Sequence, residues 1–569
     1  MTKNSQTKRP VRVGLISLGC AKNLVDAEVM LGSLMKGGVE ITNDAATADC
    51  VIVNTCSFID AAQEESIDAI LESAEVREAN NRGQGLIVSG CLPQRFRDDL
   101  PKLLPEVDAF MGIDQVAQVS QIVEQAMEHR RARVAGEHRT PNIERRTSKE
   151  KIAGKFAQLQ ERDPISTHDE EEKIRGTEKF GKTKTIVELK TQNSKFKTES
   201  PLVNVNQRPV YIPDFATPRF RLTPKHFAYV KIAEGCNHPC SFCIIPQMRG
   251  SHRSRIQADI VQEAKQLIAD GVKELNLISQ DSTYYGLDLR ANHSRAIASP
   301  EKFRAAAKAL PTDATTLCTL LRELNALPGD FWIRLLYTHP AHWTDELIQT
   351  IAECKKVARY VDMPLQHIHE NMLERMRRET SQQYIVNLIR KIRAGIPGIA
   401  IRTTFIVGFP GETDAAFETL LQFICDTKFE RLGIFSYSKE EGTRAGKMES
   451  QISDAVKKQR RKLAMAEQLK VARKISESFV GREIKVLIEK EANARELQAA
   501  NVSSWEHGLI REHDKDVPQL SGKYLVARGE ADAPDIDGRV FVRGKLPLGE
   551  FARVKIVGHT DYDLIAEKL

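Results

Sequence analysis

The sequence predicts a multidomain α/β protein: an N-terminal open parallel sheet, a central partial (β/α)6 barrel and a small C-terminal β-barrel. Three observations favour this fold class. The chain has 569 residues, more than a single hydrophobic core usually organises. In two separate regions, short apolar runs alternate with amphipathic stretches, as parallel strands covered by helices do. The final region has only short strand patterns, which are separated by glycine turns.

The first predicted domain covers residues 9–130. Its candidate strands are Val11–Leu18, Cys50–Asn54, Leu86–Ser89 and Val107–Met111. Cys20, Cys56 and Cys91 each follow one of the first three strands by one or two residues. Because the carboxyl ends of parallel strands share one edge, where ligands bind, we expect these thiols to converge. They would then form an iron-sulfur site, although buried packing is the alternative. Cys50 begins a strand at the opposite edge and is interpreted as a core thiol.

Residues 131–215 are charged and poor in large apolar side chains. Such a segment buries too little apolar surface to order itself, so we interpret it as an inserted, largely disordered linker. Residues 131–220 hold 19 Lys and Arg against 13 Asp and Glu, which accounts for the chain's net charge of +6. The charge excess therefore does not mark the folded domains as nucleic-acid binders.

The second predicted domain, residues 222–475, repeats strand and helix. Its candidate strands are His226–Ala233, Glu274–Ser279, Trp332–Tyr337, Tyr360–Met363, Ile401–Val407 and Leu432–Tyr437. Six such units suit a partial parallel barrel, with active-site loops at the carboxyl ends of its strands. Residues 286–312 look like an insertion on this side, which would cover the site or remain an unordered loop.

Cys236, Cys240 and Cys243 lie in the loop after the first of these strands, spaced C-x3-C-x2-C. Three thiols can hold three irons of a [4Fe-4S] cluster and leave the fourth iron without a protein ligand. The alternative is part of a zinc site, since C-x2-C pairs often bind zinc. A closed zinc site needs four ligands, and the sequence has no second C-x2-C pair. His238 would have to supply the fourth ligand from within the same loop.

The last predicted domain, residues 478–569, reads as all-β. Its candidate strands are Val486–Glu489, Tyr524–Ala527, Arg539–Val542 and Ala552–Val557. Residues 481–569 carry 14 Lys and Arg against 16 Asp and Glu, a net charge of −2. A domain that grips nucleic-acid phosphates is usually basic, so the sequence does not favour RNA binding here.

Two motifs carry a resemblance to a known family. CNHPCSFC at 236–243 is followed by IIPQMRG, and residues 15–26 read LISLGCAKNLVD. Together they resemble the methylthiotransferases of the radical S-adenosylmethionine superfamily, and the C-terminal domain resembles a TRAM domain. The resemblance implies two [4Fe-4S] clusters, one at Cys20, Cys56 and Cys91 and one at Cys236, Cys240 and Cys243. It also implies S-adenosylmethionine as cofactor and a reductant such as flavodoxin or ferredoxin.

The implied chemistry belongs to the cofactors. The reduced barrel cluster would cleave S-adenosylmethionine to methionine and a 5′-deoxyadenosyl radical, which abstracts hydrogen from carbon. The N-terminal cluster would deliver sulfur, and a second S-adenosylmethionine the methyl group.

Three residues are candidate contacts to S-adenosylmethionine. Gln280 ends the second barrel strand at the mouth, within Ser279-Gln280-Asp281. Gly408 and Glu412 belong to IVGFPGE, which resembles the family's adenine-contacting segment; the alternative is an ordinary strand-to-helix turn. Arg249 and Arg253, after the cluster loop, are expected either to contact substrate or to face solvent.

The substrate prediction depends on local sequence forms. RFRLTPKHFAYVKIAEGCNHPCSFCIIPQMRG, SQDSTYYG and DMPLQH resemble the group that acts on an aspartate of a small-subunit ribosomal protein. That resemblance implies formation of 3-methylthioaspartate, and an acidic C-terminal domain suits a basic protein partner. Methylthiolation of isopentenyladenosine in tRNA is the disfavoured alternative, and a zinc-containing RNA-binding protein without enzymatic activity is a further one.

The sequence also bears on location. It contains no apolar run of membrane-spanning length and no signal-peptide pattern at its start, so we expect a cytoplasmic protein without a membrane partner. Its ten cysteines are accordingly expected to be metal ligands or buried thiols rather than disulfides.

Overall fold

The computed structural model describes residues 9–137, 200–289, 299–493, 503–504, 509–510 and 523–569. Three larger sheets follow one another along these residues: two six-stranded parallel sheets and a closed barrel. The predicted fold class is confirmed. Among the helices of the described residues, none combines the length and apolar character that a membrane-spanning helix requires.

The first sheet has the strand order β2-β1-β3-β4-β5-β6, and all its pairs are parallel. Its strands are β1 (Arg12–Ser17), β2 (Glu40–Thr42), β3 (Cys50–Thr55), β4 (Gly85–Gly90), β5 (Ala109–Met111) and β6 (Leu202–Asn204). Its helices are α1 (Ala21–Lys36), α2 (Asp60–Asn80), α3 (Cys91–Arg95), α4 (Leu100–Leu103) and α5 (Val119–Glu137).

Both faces of this sheet are buried because successive side chains of a strand point to opposite sides. Val51 and Val53 pack on the face covered by α2. Cys50 and Ile52 pack on the other face, against α1 and α5. Cys50 is fully buried, as expected for a core thiol, and burial raises the pKa of its thiol.

The inserted linker differs from its prediction at both ends. Residues 131–137 continue α5, and β6 adds an edge strand to the first sheet by pairing with β5. The carboxylate of Asp114 accepts hydrogen bonds from the backbone N–H groups of Val210 (2.9 Å) and Tyr211 (3.0 Å). These polar contacts order a stretch whose composition gave no such signal. Residues 138–199 lie outside the described residues.

The central sheet has the order β14-β13-β12-β11-β10-β7, and its six strands are parallel. Its strands are β7 (Phe227–Lys231), β10 (Glu274–Ile278), β11 (Trp332–Leu335), β12 (Val357–Asp362), β13 (Ala400–Val407) and β14 (Arg431–Ser436), with a small hairpin of β8 (Ala233–Glu234) and β9 (Arg253–Ser254). The helices are α6 (Ile245–Arg249), α7 (Gln257–Ala269), α8 (Pro300–Lys308), α9 (Leu317–Ala326), α10 (Asp345–Glu353), α11 (Glu370–Arg375), α12 (Gln382–Gly395), α13 (Asp414–Thr427) and α14 (Asp454–Glu477).

Local sequence explains where several of these helices begin. Thr344, Ser381 and Thr413 stand immediately before α10, α12 and α13. Each hydroxyl accepts a hydrogen bond from a backbone N–H of the first turn, at 3.1–3.2 Å. Such caps satisfy N–H groups that the helix itself leaves without acceptors.

The C-terminal unit is a closed barrel of order β15-β18-β19-β21-β20. Its strands are β15 (Glu483–Asn493), β18 (Lys523–Gly529), β19 (Val540–Arg543), β20 (Phe551–His559) and β21 (Leu564–Lys568); β16 (Ser503–Ser504) and β17 (Leu509–Ile510) form a separate pair. The sequence predicts only four strands, and β21 is the one it misses. Strand β21 closes the barrel between β19 and β20, so the sheet has no open edge.

The inner face of the central sheet is covered by both neighbouring units. Val25 of α1 and Ala533 and Ile536 of the C-terminal unit pack with Tyr229 and Tyr360 in one buried cluster. The three units therefore pack against one another around the partial barrel. The N-terminal unit lies on the side that carries the cysteine loops.

Candidate functional site

The structure brings the loops of Cys20, Cys56 and Cys91 to one edge of the first sheet. Gly19 has a φ of +87°, and a Cβ built on it would lie 2.7 Å from Cβ and 3.1 Å from Sγ of Cys56. A glycine is thus required there for Cys56 to lie so close to the Cys20 loop. Burial raises the pKa of the Cys91 thiol; the positive charge of Arg249 opposes this rise, and a negative charge on nearby Cys20 adds to it.

Asn23, one turn into α1, connects these three loops. Its amide Nδ2 donates to the carbonyl of Leu18 (3.2 Å), before Cys20, and to that of Thr55 (2.8 Å), before Cys56. Its Oδ1 accepts from the Cys91 thiol at 3.6 Å. The sequence analysis missed this residue, although it stands three positions after Cys20 on the first turn of a helix.

The second set, Cys236, Cys240 and Cys243, lies in the loop beyond β7. The β8–β9 hairpin closes the base of this loop, and the N–H of Cys236 donates to the Gly250 carbonyl at 3.0 Å. Gly235 has a φ of +81°, and a Cβ there would lie only 2.1 Å from the Ser251 carbonyl oxygen. The loop therefore needs glycine directly before its first cysteine.

The electrostatics of this loop suit a group that binds thiolates. Burial, and then the negative charges of neighbouring thiols, raise the pKa of Cys236 and raise that of Cys243 to about 12. The backbone N–H of His238 donates to Cys236 Sγ (3.5 Å), and Arg378 Nη1 donates to Cys240 Sγ (3.4 Å). Three thiols in one loop, two of which accept hydrogen bonds from N–H donors, fit three ligands of an iron-sulfur cluster, because bound iron would remove their protons.

A histidine cluster lies beside this loop. The Asp281 carboxylate is hydrogen-bonded to His238 Nε2 (2.8 Å) and His342 Nδ1 (2.7 Å). The His238 ring stacks on that of His339, with 3.6 Å between centroids. Burial lowers the pKa of His238 to about 4 despite its bond to Asp281. A small cavity here is lined by Asn237, His238, His252, Asp281, Tyr284 and His342.

These histidines make a poor metal site, although their ligand atoms lie within 4.8 Å of one another. The lone pairs of two rings stacked 3.6 Å apart run nearly parallel, so they cannot converge on an ion about 2 Å from each nitrogen.

Part of the predicted insertion at 286–312 covers this cluster. Helix α8 places the Phe303 ring on that of His342, with 4.2 Å between centroids. Phe303 also packs with Tyr284 and Leu287 in a small buried group. Residues 290–298 lie outside the described residues.

The candidate contacts to S-adenosylmethionine differ in how many of their polar atoms already form hydrogen bonds within the protein. Gln280 donates through Nε2 to Glu234 (2.6 Å), while its buried Oε1 accepts no hydrogen bond from the described residues. Glu412 is saturated: its Oε1 is bonded to His367 (3.1 Å), and its Oε2 accepts from the N–H of Gly408 (2.5 Å) and from Arg460 (2.6 Å). Glu412 thereby fixes the turn that begins at Gly408.

The expectation that Arg249 faces solvent is wrong, because its side chain is buried. Its Nη1 donates to Asp26 (2.9 Å) and Glu234 (3.2 Å), and its Nη2 donates to Asn23 and to Cys91 Sγ (3.3 Å). Arg253 is half-buried and donates to three carbonyl groups, those of Arg249, Ser251 and Tyr211. The two cysteine sites are thus connected through one side chain.

Comparisons with known proteins cover most of the chain. Residues 12–112 match Uncharacterized protein family UPF0004, residues 230–424 the Radical SAM superfamily, and residues 514–568 the TRAM domain. "Ribosomal protein uS12 methylthiotransferase RimO" of Opitutus terrae is 48% identical, covering 98% of this chain and 96% of the relative. The protein of the same name from Akkermansia muciniphila is 44% identical, covering 98% and 100%.

Solved structures give a weaker likeness. The radical S-adenosylmethionine methyltransferase TsrM from Kitasatospora setae, with cobalamin and a [4Fe-4S] cluster bound, matches with a TM-score of 0.43 at 14% identity. The match covers 77% of each chain. At this level the likeness adds nothing to the sequence relationships.

Proposed function

This chain belongs to the RimO family of ribosomal protein uS12 methylthiotransferases, and on that premise we propose that it methylthiolates the β-carbon of an aspartate in uS12. The observation that carries the proposal is the meeting of two three-cysteine sites, one from each of two domains, through Arg249. A reaction that joins sulfur to carbon needs both sites beside one substrate.

Each cysteine set is proposed to hold one [4Fe-4S] cluster. Cys236, Cys240 and Cys243 would hold the cluster of the radical SAM domain, and Cys20, Cys56 and Cys91 the second. When bound, these clusters and S-adenosylmethionine supply radical and sulfur chemistry that protein acids and bases cannot supply. The chain's own part is to orient the thiols, through Asn23 and the glycine turns.

The S-adenosylmethionine site is proposed to include Gln280, Gly408 and Glu412. Gln280 supports this role because its Oε1 has an open acceptor position close to the cluster loop. Glu412 would act by holding the Gly408 turn rather than through a free carboxylate, since both of its oxygens already accept hydrogen bonds.

The finer features belong to the same proposal. The proposal keeps the four predicted segments as its domain scheme: 9–130, 131–215, 222–475 and 478–569. The inserted linker is shorter than predicted at both ends, as described above. A cytoplasmic location and a reductant such as flavodoxin or ferredoxin fit a ribosomal-protein substrate. The net charge of −2 in residues 481–569 disfavours tRNA as substrate.

Intact-mass measurement of uS12 tests the proposal. Cells that carry the gene should contain uS12 heavier by about 46 Da than cells that lack it, because a methylthio group replaces hydrogen. Hydrolysates of tRNA from cells with the gene and from cells without it should contain equal amounts of methylthio-adenosine. Modified tRNA with unmodified uS12 would move the chain to the tRNA alternative. Colourless purified protein that contains zinc would instead favour the non-enzymatic one.

A further inference from the structure

Arg249 lies between the two cysteine sites. It ends α6, which begins two residues after Cys243, and its side chain is 2% exposed. Its guanidinium reaches across the domain boundary to Cys91 Sγ, at 3.3 Å. The same group bonds to Glu234, which stands two residues before Cys236. Arg249 follows the second site in the chain, and its side chain contacts both a proposed ligand of the first site and Glu234, which precedes the second site.

The surroundings of Arg249 keep it charged and oriented. Asp26 and Glu234 each bond to both Arg249 and Lys231, so two cations and two anions form a closed buried group. Arginine keeps its proton in proteins, and the carboxylates of Asp26 and Glu234 offset the cost of burying its charge here. The planar fork of arginine can donate toward Cys91, Asp26 and Glu234 together, which the ammonium of lysine cannot do from one position.

We propose that Arg249 is a positioning residue that raises the reduction potential of the cluster at Cys20, Cys56 and Cys91 and fixes that cluster against the barrel. This inference rests on the proposed function. A cationic N–H group bonded to a ligand sulfur stabilises the more negative, reduced state of a cluster. Hydrogen bonds to metal ligands set both their orientation and the metal's properties.

Arg95 supplies a matched control. It lies in the same short helix as Cys91 and forms a buried ion pair with Glu440 of the barrel at 2.7 Å, each side chain 6% exposed. Its other described hydrogen bond goes to the Ser57 carbonyl, and none of those described goes to a cysteine sulfur. Losing Arg95 thus weakens the same interface without touching a ligand sulfur.

The test uses full-length protein in which Cys236, Cys240 and Cys243 are alanine, so that only the N-terminal cluster remains. Redox titration followed by electron paramagnetic resonance is performed on this background and on its R249Q, R249K and R95Q derivatives, with iron counted in each. We expect a lower potential in R249Q, a smaller decrease in R249K, and the background value in R95Q. In the reciprocal background, with Cys20, Cys56 and Cys91 replaced, R249Q should shift the barrel cluster less.

The outcomes separate the possible roles. An unchanged potential in R249Q, or equal shifts in R249Q and R95Q, would overturn the proposal. Loss of iron from R249Q alone, with R249K and R95Q still loaded, would support the holding role. Loss of iron from all three derivatives would show that Arg249 is needed only for folding, and the proposal would be overturned. A background protein without iron would refute the N-terminal cluster assignment itself, and with it this role.

Discussion

Arg528 of the C-terminal barrel donates to the carboxylate of Glu274 in the central sheet at 2.6 Å, and both side chains are buried. Glu274 also accepts from Arg334 at 2.5 Å, so one carboxylate serves two arginines from two units. Nearby, Asp537 accepts from the Tyr360 hydroxyl at 2.7 Å. The C-terminal unit is thus joined to the barrel by buried charges rather than by a flexible connection.

The first prediction concerns this pair. The substitution Glu274→Gln should lower the free energy of unfolding by about 3–5 kcal/mol, because it removes the anion of buried Arg334 and one of the two anions of buried Arg528. Urea unfolding followed by circular dichroism measures the change. The exposed pair Lys391–Asp345 is the control, and Lys391→Gln should cost no more than about 1 kcal/mol. If the two variants lost equal free energy of unfolding, burial would not be the reason that the Glu274 ion pairs stabilise the fold.

The second prediction is a pH dependence that arises from Glu489. Burial opposes ionisation, but Arg528 and a hydrogen bond from His226 lower the pKa of Glu489 to about 2, from an ordinary value of 4.5. A carboxyl whose pKa is depressed on folding adds stability above its unfolded pKa, and this part is lost as the pH falls toward the folded value. The window is therefore about pH 4.5 to 2.

The matching variant is Glu489→Gln. The difference in unfolding free energy between wild type and variant should shrink by about 3 kcal/mol as the pH falls through this window, since one pKa unit corresponds to about 1.4 kcal/mol. Urea titrations at several pH values measure that difference. A constant difference across the window would show that the Glu489 charge does not contribute.

The third prediction concerns iron content. Anaerobically reconstituted protein should hold about eight irons per chain, and replacing Cys236, Cys240 and Cys243 by alanine should leave about four. The same variant should no longer cleave S-adenosylmethionine. Cys50→Ala is the control, because this buried thiol sits in the core of the first sheet, away from the cysteine loops. Unchanged iron in the triple variant would refute the barrel assignment.

The fourth prediction separates the two sites by activity. Replacing Cys20, Cys56 and Cys91 by alanine should leave 5′-deoxyadenosine formation intact while abolishing the methylthio product. The reason is that these thiols lie in loops at one edge of the first sheet, whereas the loop of Cys236 follows β7 of the central sheet. Chromatography of the nucleoside and mass spectrometry of uS12 measure the two outputs. Full product formation would make the N-terminal cysteines structural.

The sequence predicted the fold class and the family well, and the physical reasons are local. Long runs of alternating strand and helix patterns specify parallel sheets, and the two cysteine motifs carry a resemblance that relatives of 44–48% identity confirm. Strands Glu40–Thr42 and Leu202–Asn204 were missed because three residues carry too little periodicity.

Contacts between residues that are far apart in the sequence could not be predicted from local patterns. Arg249 stands in a motif that suggested substrate or solvent, yet its partners Asn23, Asp26 and Cys91 come from another domain. His339 and His342 likewise meet His238 only through folding, because about a hundred residues separate them in sequence.

The last prediction concerns how the C-terminal barrel selects its partner. Deleting residues 481–569 would be a poor test, because Arg334 and Arg402 would lose partners that this unit supplies, the Glu530 carbonyl and Asp537. Reversing charge on its surface avoids that damage. The triple substitution Glu483→Lys, Glu491→Lys and Glu567→Lys changes three exposed carboxylates and would turn the net charge from −2 to +4.

Complementary charge chiefly sets the rate of encounter and the choice of partner. A basic ribosomal protein should therefore meet this variant more slowly, and its modification should slow several-fold at low salt, with the difference shrinking as salt rises. Formation of 5′-deoxyadenosine without uS12 should not change, because the three glutamates lie outside the central sheet. Glu418→Lys, at an exposed site on α13, controls for charge reversal elsewhere on the surface. If the triple variant modified uS12 at the wild-type rate in low salt, the acidic barrel would have no part in choosing the substrate.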